Sequence, residues 1–348
     1  MTTRWTLVVD RDDLAKTEVL HDELPALSDG EVLLRVSRAG LTANNVTYGL
    51  IADMIGYWRF FPTTAEGRGV IPVWGFADVV ESTVDGLPTG TRVYGYLPMS
   101  SHLVVCPRLT SSGFADAGKH RGDLPAVYNS YLVTTSDPAY DERLEDLQVL
   151  FRPLFLTSFL LADQLADNDF HGARTVVFSS ASSKTAFGTA QCLRDRGGRL
   201  VGLTSPRNVE FTTSLGLYDT VLPYDAAVDL EPSVYLDFSG SADVRSALHD
   251  RLGADLRKDI SIGLTHQAAP SDQRSEFFFA PNQLRKRTAD WGAEGLAHRF
   301  GEAWRDFTAR AGDWVTVVTH TGPDELAEVW QSVLAGRTNP ATADVITF

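Results

Sequence analysis

The chain opens in short apolar runs with the two-residue alternation of half-buried strands. TLVVD, EVLLRVSRAG and VIPVWGFADVVEST are rich in β-branched and aromatic residues and are separated by Gly, Pro and Asp turns. From Pro153 the texture changes. LTSFLLADQLADN reads as a helix, TVVF as a buried strand and TAFGTAQCL as a second helix. RLVGLTS, TVLPY, VYLDFSG and ISIGLT follow as short strands, with the helical NVEFTTSLG and VRSALHDRLG between them. Strands alternating with helices predict a parallel sheet with crossover helices. After Gln283 a long helical pattern, TADWGAEGLAHRFGEAWRDFTARA, leads to the strand WVTVVTH and a closing helix, DELAEVWQSVLAG, whose Asp324 and Glu325 suit a helix N-terminus.

At 348 residues the chain is long enough for two domains, each with its own core. The formal net charge of -14 argues against a broad nucleic-acid or membrane-binding surface, since phosphates and anionic headgroups are repelled on average. A small-molecule substrate is the expected partner. Two cysteines, Cys106 and Cys192, make neither a disulfide framework nor a multi-cysteine metal site. The N-terminus MTTRWTLVVDRDD lacks the pattern of a signal peptide, and the apolar VLFRPLFLTSFLL is interrupted by Arg152 and Pro153. These features predict a cytoplasmic protein.

The stretch TVVFSSASSKTAFGTAQCL predicts strand, tight turn and helix, and the turn is the first candidate site. A nucleoside-triphosphate loop needs glycine just before the lysine and again five residues earlier; Ser183 and Phe178 stand there, so only the Lys184-Thr185 pair matches. A dinucleotide turn asks for small residues and a helix N-terminus, which Ser180, Ala181, Ser182, Ser183, Lys184 and Thr185 supply without the glycine fingerprint. Solvated lysine and ordinary hydroxyl capping explain the same residues. The second strand ends without the acid that selects NAD: RLVGLTSPRN offers Thr204, Ser205 and Arg207 instead. A guanidinium there suits a 2′-phosphate, so NADPH is expected over NADH.

Several motifs in order resemble the medium-chain dehydrogenase/reductase superfamily, in its zinc-independent quinone oxidoreductase and enoyl reductase branch. EVLLRVSRAGLTANNVTYG is similar to that group's strand and following loop, and IPVWGFADVVESTVDGLPTGTRVYGYLPMSSHLVV to its Pro-x-x-Gly and Gly-Asp-Arg-Val region, with Thr91 at the acid position. RTVVFSSASSKTAFGTAQCL resembles the cofactor strand-turn-helix, with Ser183, Lys184 and Ala186 in place of glycines, and LGLYDTVLPYD the Leu-Gly-Ala-Asp segment. The resemblance implies an α/β fold: a doubly wound parallel sheet of Rossmann type at 153–277, a strand-rich GroES-like substrate domain at 1–152 with an inserted loop at 111–146, and a C-terminal return to that domain at 278–348. It also implies a homodimer. Zinc-dependent relatives place His and Glu where Phe76 and Ala77 stand, so no metal is expected.

Without metal, the superfamily's usual task is hydride transfer to a polarised double bond, here an enone, quinone or enoyl thioester. Such a step needs a hydrogen-bond donor for the enolate oxygen. The resemblance puts that donor in the loop carrying Asn45, Tyr48 and Tyr57, with Tyr48 the first choice and core packing an equal alternative for each tyrosine. Thr157 resembles a threonine near the nicotinamide. Ser239 and Gly240, then Gly263 and Thr265, follow later strands at the edge where open parallel sheets bind ligands. His120, Arg121, Tyr128 and Asn129 crowd the inserted loop and could read a polar or carboxylate-bearing substrate, and Trp58 could form an apolar wall. Carbonyl reduction, a non-redox lyase or isomerase step, and a non-catalytic ligand-binding protein stay open beside C=C reduction.

Overall fold

The structure, a computed structural model, describes residues 3–194, 196–226, 231–262 and 275–348. Gly263 and Thr265 lie outside the described residues. The chain divides into two compact units, one of residues up to Leu150 together with Thr316–Phe348 and one of Phe151–Val315.

The alternating N-terminal pattern builds the first unit. Strand Val32–Leu41 shows why: Val32, Leu34 and Val36 are fully buried while Arg35 faces solvent. A three-stranded sheet orders Thr17–Glu23, Thr3–Asp10 and Arg68–Gly69. The larger sheet runs Thr316–Thr321, Thr342–Thr347, Val32–Leu41, Pro72–Ser82, Arg92–Pro98, Ser130–Val133, Gly113–Asp116 and Pro107–Thr110, with His102–Val105 also paired to Val32–Leu41. The expected loop at 111–146 is therefore partly sheet. Strands Gly113–Asp116 and Ser130–Val133 extend the larger sheet and fix the loop residues between them. The helices Ala43–Leu50 and Gly322–Leu334 belong to this unit, and Trp330, fully buried, donates Nε1 to the Leu14 carbonyl at 2.8 Å.

The second unit is a six-stranded parallel sheet with spatial order Thr220–Pro223, Arg199–Thr204, Thr175–Phe178, Ser233–Asp237, Leu256–Ser261, Ser275–Phe277. In chain order this is third, second, first, fourth, fifth, sixth, the doubly wound Rossmann arrangement whose direction reverses between the first and fourth strands. Val177, Val201, Leu203 and Tyr235 from its strands pack with Leu248 and Leu252 of helix Ala242–Leu252.

Two expectations are corrected. The apolar stretch around Pro153 is one continuous helix, Glu145–Asp167, which accommodates the proline. Proline has no N–H for the Val149 carbonyl, and Gly40 lies so close to that carbonyl that a Cβ there would stand 2.6 Å from its oxygen. With its leading turn the helix is apolar enough to cross a membrane by composition, yet 61% of its most apolar window is buried in the protein, as befits a core helix. The return to the first unit comes at Thr316 rather than at 278, because helix Ala280–Trp314 buries Trp304, Phe307 and Ala311 within the parallel-sheet unit. Phe307 meets Phe155 at 4.5 Å between ring centroids. On the same helix Lys286 is ion-paired with Asp167, and Arg287 with Asp163, Asp167 and Asp290.

Phe307→Ala should lower the stability of the parallel-sheet unit by about 3–5 kcal/mol, the cost of deleting a fully buried aromatic ring. Urea unfolding followed by tryptophan fluorescence measures it.

Candidate functional site

At the switch point of the parallel sheet, the first and fourth strands end side by side at Ser179 and Asp237. Asp237 is buried, and its Oδ1 accepts from the Ser179 hydroxyl at 2.9 Å, the Tyr235 hydroxyl at 3.1 Å, the Ser239 hydroxyl at 2.9 Å, and the amides of Ser239 and Gly240 at 3.1 and 3.0 Å. The Ser179 hydroxyl in turn accepts from the amides of Phe238 and Ser239, each at 3.0 Å. A carboxylate buried without a cation at contact is held here by converging O–H and N–H dipoles. The result locks both strand-to-helix turns in one arrangement.

The turn after the first strand takes its shape from hydroxyls rather than glycines. Ser180 sits at φ 46°, a left-handed conformation that costs a serine about 1 kcal/mol. Its amide donates to the Tyr224 hydroxyl at 2.9 Å. Ala181 and Ser182 are buried beneath the turn: the Tyr218 hydroxyl donates to the Ala181 carbonyl at 2.9 Å, and the Ser182 hydroxyl accepts from Thr204 and Asn208 at 3.2 Å each. Gly202 is needed below, since a Cβ there would stand 3.0 Å from the Ala181 Cβ. Ser183 caps helix Lys184–Leu193, its side chain accepting from the Ala186 amide. The Thr185 carbonyl accepts from Ser158 and Thr189. Thus Lys184 and Thr185 open the helix, while Thr204 supports the turn from within. Ser205 begins the short turn Pro206–Asn208, and Arg207 is exposed beyond the second strand with no hydrogen bond or ion pair from its side chain among the described residues.

Ser239 and Gly240 lie on the second half of this edge, Ser239 on Asp237 and Gly240 at φ 62°. Thr157 is inside helix Glu145–Asp167 and donates to the Pro153 carbonyl at 3.4 Å, so its hydroxyl is not a cap. Tyr224, Tyr218, Asp237 and Asn208 escaped sequence reasoning. Their signal was faint: a tyrosine and an acid at strand ends, meaningful only once the strand order is known.

In the strand-rich unit the structure gathers tyrosines. Tyr48, on helix Ala43–Leu50, accepts from Asn44 Nδ2 at 2.8 Å and from Trp74 Nε1 at 3.1 Å. Both bonds end on the phenolic oxygen, which leaves the Tyr48 O–H free to donate. Tyr57 shares a 2.9 Å hydrogen bond with Tyr128 and lies 4.9 Å from Tyr48 between ring centroids. Tyr96, fully buried, contacts Tyr128 at 4.7 Å, Trp74 at 5.1 Å and Tyr48 at 5.6 Å. Burial above all holds each of these four phenols above the ordinary phenol pKa, and each also opposes its neighbours' ionisation. They are neutral donors throughout the physiological range.

The other expected residues have different surroundings. Asn45 is committed to the fold: its Nδ2 donates to the Pro72 carbonyl and its Oδ1 accepts the Thr42 amide in a capping box. Arg121 is fully buried and ion-paired with buried Asp116 at 2.8 Å, while its Nη2 has no hydrogen-bond partner among the described residues. Asn129 closes the same loop on the Arg121 carbonyl. His120 is exposed. Trp58 is buried against Gly69 with Arg11 stacked 5.6 Å over its ring. Phe76, at the position of a zinc ligand in zinc-dependent relatives, is buried under the Arg92 guanidinium at 5.1 Å. Sequence reasoning missed Trp74 and Tyr96, which pair directly across neighbouring strands. Strict alternation along RVYGYLP was the signal that could have placed Tyr96 on the Trp74 face.

A family model described as "Protein of unknown function (DUF2855)" matches residues 39–339. The chain belongs to that family. No curated protein matches DUF2855's member here in sequence. Among solved structures, the fold is similar over whole chains to CurA of Vibrio vulnificus in complex with NADPH, with 14% identity, a TM-score of 0.61 and coverage of 99% of this chain and 98% of that one. It is similar to the quinone oxidoreductase of Coxiella burnetii at 12% identity and a TM-score of 0.57, each chain covered fully. The Etr1p/NADP/crotonyl-CoA complex gives 12% identity and a TM-score of 0.61, again over both whole chains. The chain therefore shares the medium-chain dehydrogenase/reductase fold of these structures.

The tyrosine shifts set an alkaline limit. Below about pH 10, the ordinary phenol value, folded and unfolded chains hold the same phenolic protons. Above it the unfolded chain loses protons that buried Tyr48, Tyr57, Tyr96 and Tyr128 retain, so stability falls as pH rises. Melting temperature between pH 8 and 11.5 should hold level with respect to these groups and then drop; a phenolate absorbance step near pH 10 in the folded state, reporting all four, would contradict it.

Proposed function

We propose that this protein is an NADPH-dependent reductase of activated C=C bonds, acting on an enone, quinone or enoyl thioester. The observation that carries the reading is the Tyr48 hydroxyl, whose oxygen takes two N–H bonds while its own hydrogen stays available. Two donors on a phenolic oxygen polarise its O–H, and a neutral, buried donor costs no reorganisation when charge develops beside it.

When bound, the reduced nicotinamide supplies the hydride. Addition at the β-carbon sends the π electrons onto the carbonyl oxygen, where Tyr48 donates its hydrogen bond; a proton added at the α-carbon completes the reduction. Tyr57 and Tyr128 form a second hydroxyl pair beside Tyr48, suited to hold that proton. For the cofactor, the residues present fit a dinucleotide through the Ser183-capped helix N-terminus and the switch-point order of the strands. Exposed Arg207, beyond a second strand without an acid, supports a 2′-phosphate. The NADPH named with CurA and the NADP named with Etr1p lend support at the level of fold.

One observation favours a second reading. The Ser180 amide already donates to Tyr224, so the turn is satisfied from within. On that reading the protein binds ligands in its strand-rich unit without a dinucleotide.

Calorimetric titration with NADPH and NADH separates the two. NADPH should bind the more tightly, with Arg207→Ala erasing at least about tenfold of the preference, one charge-assisted hydrogen bond. In an NADPH oxidation assay, Tyr48→Phe should lower turnover about 100-fold or more while leaving NADPH affinity in place. Binding of neither dinucleotide would sink the reductase reading and favour the second.

A further inference from the structure

The phenols of the strand-rich unit pose a hydrogen-bond accounting problem. Of the hydrogens on Tyr48, Tyr57, Tyr96 and Tyr128, one is used between Tyr57 and Tyr128, and the others find no acceptor among the described residues. Tyr96 is the sharpest case. Its ring is fully buried in contact with Tyr48, Tyr57, Phe60, Phe61, Trp74 and Tyr128, and its hydroxyl has no partner among the described residues. A buried hydroxyl without a partner is costly and rare, and here it lies in one cluster of rings with the unused hydrogen of Tyr48, which signals a group that belongs among them.

The signs agree on what that group is. The Tyr48 oxygen already takes two N–H bonds, so what it has left is a donor and its missing partner is an acceptor. Arg121 lies over Phe60 and Phe61 and is ion-paired with Asp116, so the pair brings no net charge to balance a carboxylate. Aromatic rings on several sides favour a flat, conjugated body. Neutral phenols, kept neutral by their burial, cannot balance an ammonium either.

We propose that Tyr96 is a second substrate donor beside Tyr48, and that the cluster takes a planar, uncharged carbonyl compound with two acceptor oxygens, such as a quinone or enedione, in preference to a charged enoate. This narrows the substrate class of the reductase reading and rests on it for its chemistry. Its binding content stands apart, since ligand capture by the phenols requires no dinucleotide.

The test is equilibrium dialysis of the full-length protein, without cofactor, against tetramethyl-1,4-benzoquinone, whose blocked ring positions resist thiol addition, with crotonate as the anionic probe. The quinone should bind and crotonate should bind more weakly. Tyr96→Phe should weaken quinone binding about tenfold, the loss of one hydrogen bond. The same variant should melt at an equal or higher temperature, because it removes an unpartnered hydroxyl and keeps the ring. Tyr140→Phe, which alters a hydroxyl bonded to Glu145 instead, should leave quinone affinity unchanged. Absence of quinone binding, equal affinity in Tyr96→Phe, a lowered melting temperature in that variant, or tighter crotonate binding would each overturn the proposal. NADPH titration of the same samples reports separately on the reductase reading, so either can fail alone.

Discussion

The parallel-sheet unit depends on the carboxylate of Asp237. A negative charge at the buried end of a strand is expensive, and here it is balanced by hydroxyls and amides drawn from two strand ends and the turn between Asp237 and helix Ala242–Leu252. Because those donors come from the first and fourth strands, satisfying the charge also fixes the point where the sheet changes direction. The glycine-poor turn follows from the same chemistry. With Ser179 bound to Asp237, and Ser180, Ala181 and Ser182 held by Tyr224, Tyr218, Thr204 and Asn208, hydrogen bonds supply the order that glycine-rich turns obtain from close backbone approach.

The strand-rich unit solves its polar problem differently on its two sides. Arg92 forms a two-pronged bond with Glu145 and a further one with Asp78, so charges are paired where the sheet meets the start of helix Glu145–Asp167. Elsewhere in the same sheet, Tyr96 and its neighbours present hydroxyls that the protein leaves undirected. The chain that pairs three carboxylates with three arginines around Asp78 and Asp146 leaves a cluster of phenols with hydrogens to spare among the described residues.

Much of the fold was legible in the sequence because it rests on local periodicity. Period-two runs such as EVLLRVSRAG became strands with the buried face they advertised, and the alternation from Pro153 onward became the parallel sheet. Long-range packing was less legible. Pro153 looked like an interruption, but the helix Glu145–Asp167 continues through it. The inserted loop looked irregular because Gly113–Asp116 and Ser130–Val133 are too short to announce themselves without their partners.

The sequence by itself determined the two-part α/β architecture and the closeness of Tyr48 and Tyr57 along the chain, since these follow from periodicity and spacing. Only the tertiary structure decided which hydroxyls are used. Asn45 is taken up by a capping box and Arg121 by a buried ion pair, while Tyr96, silent in its strand, is brought against Tyr48 with its hydroxyl unpaired among the described residues. Hydrogen-bond satisfaction is a property of three-dimensional neighbours, and no pattern along the chain records it.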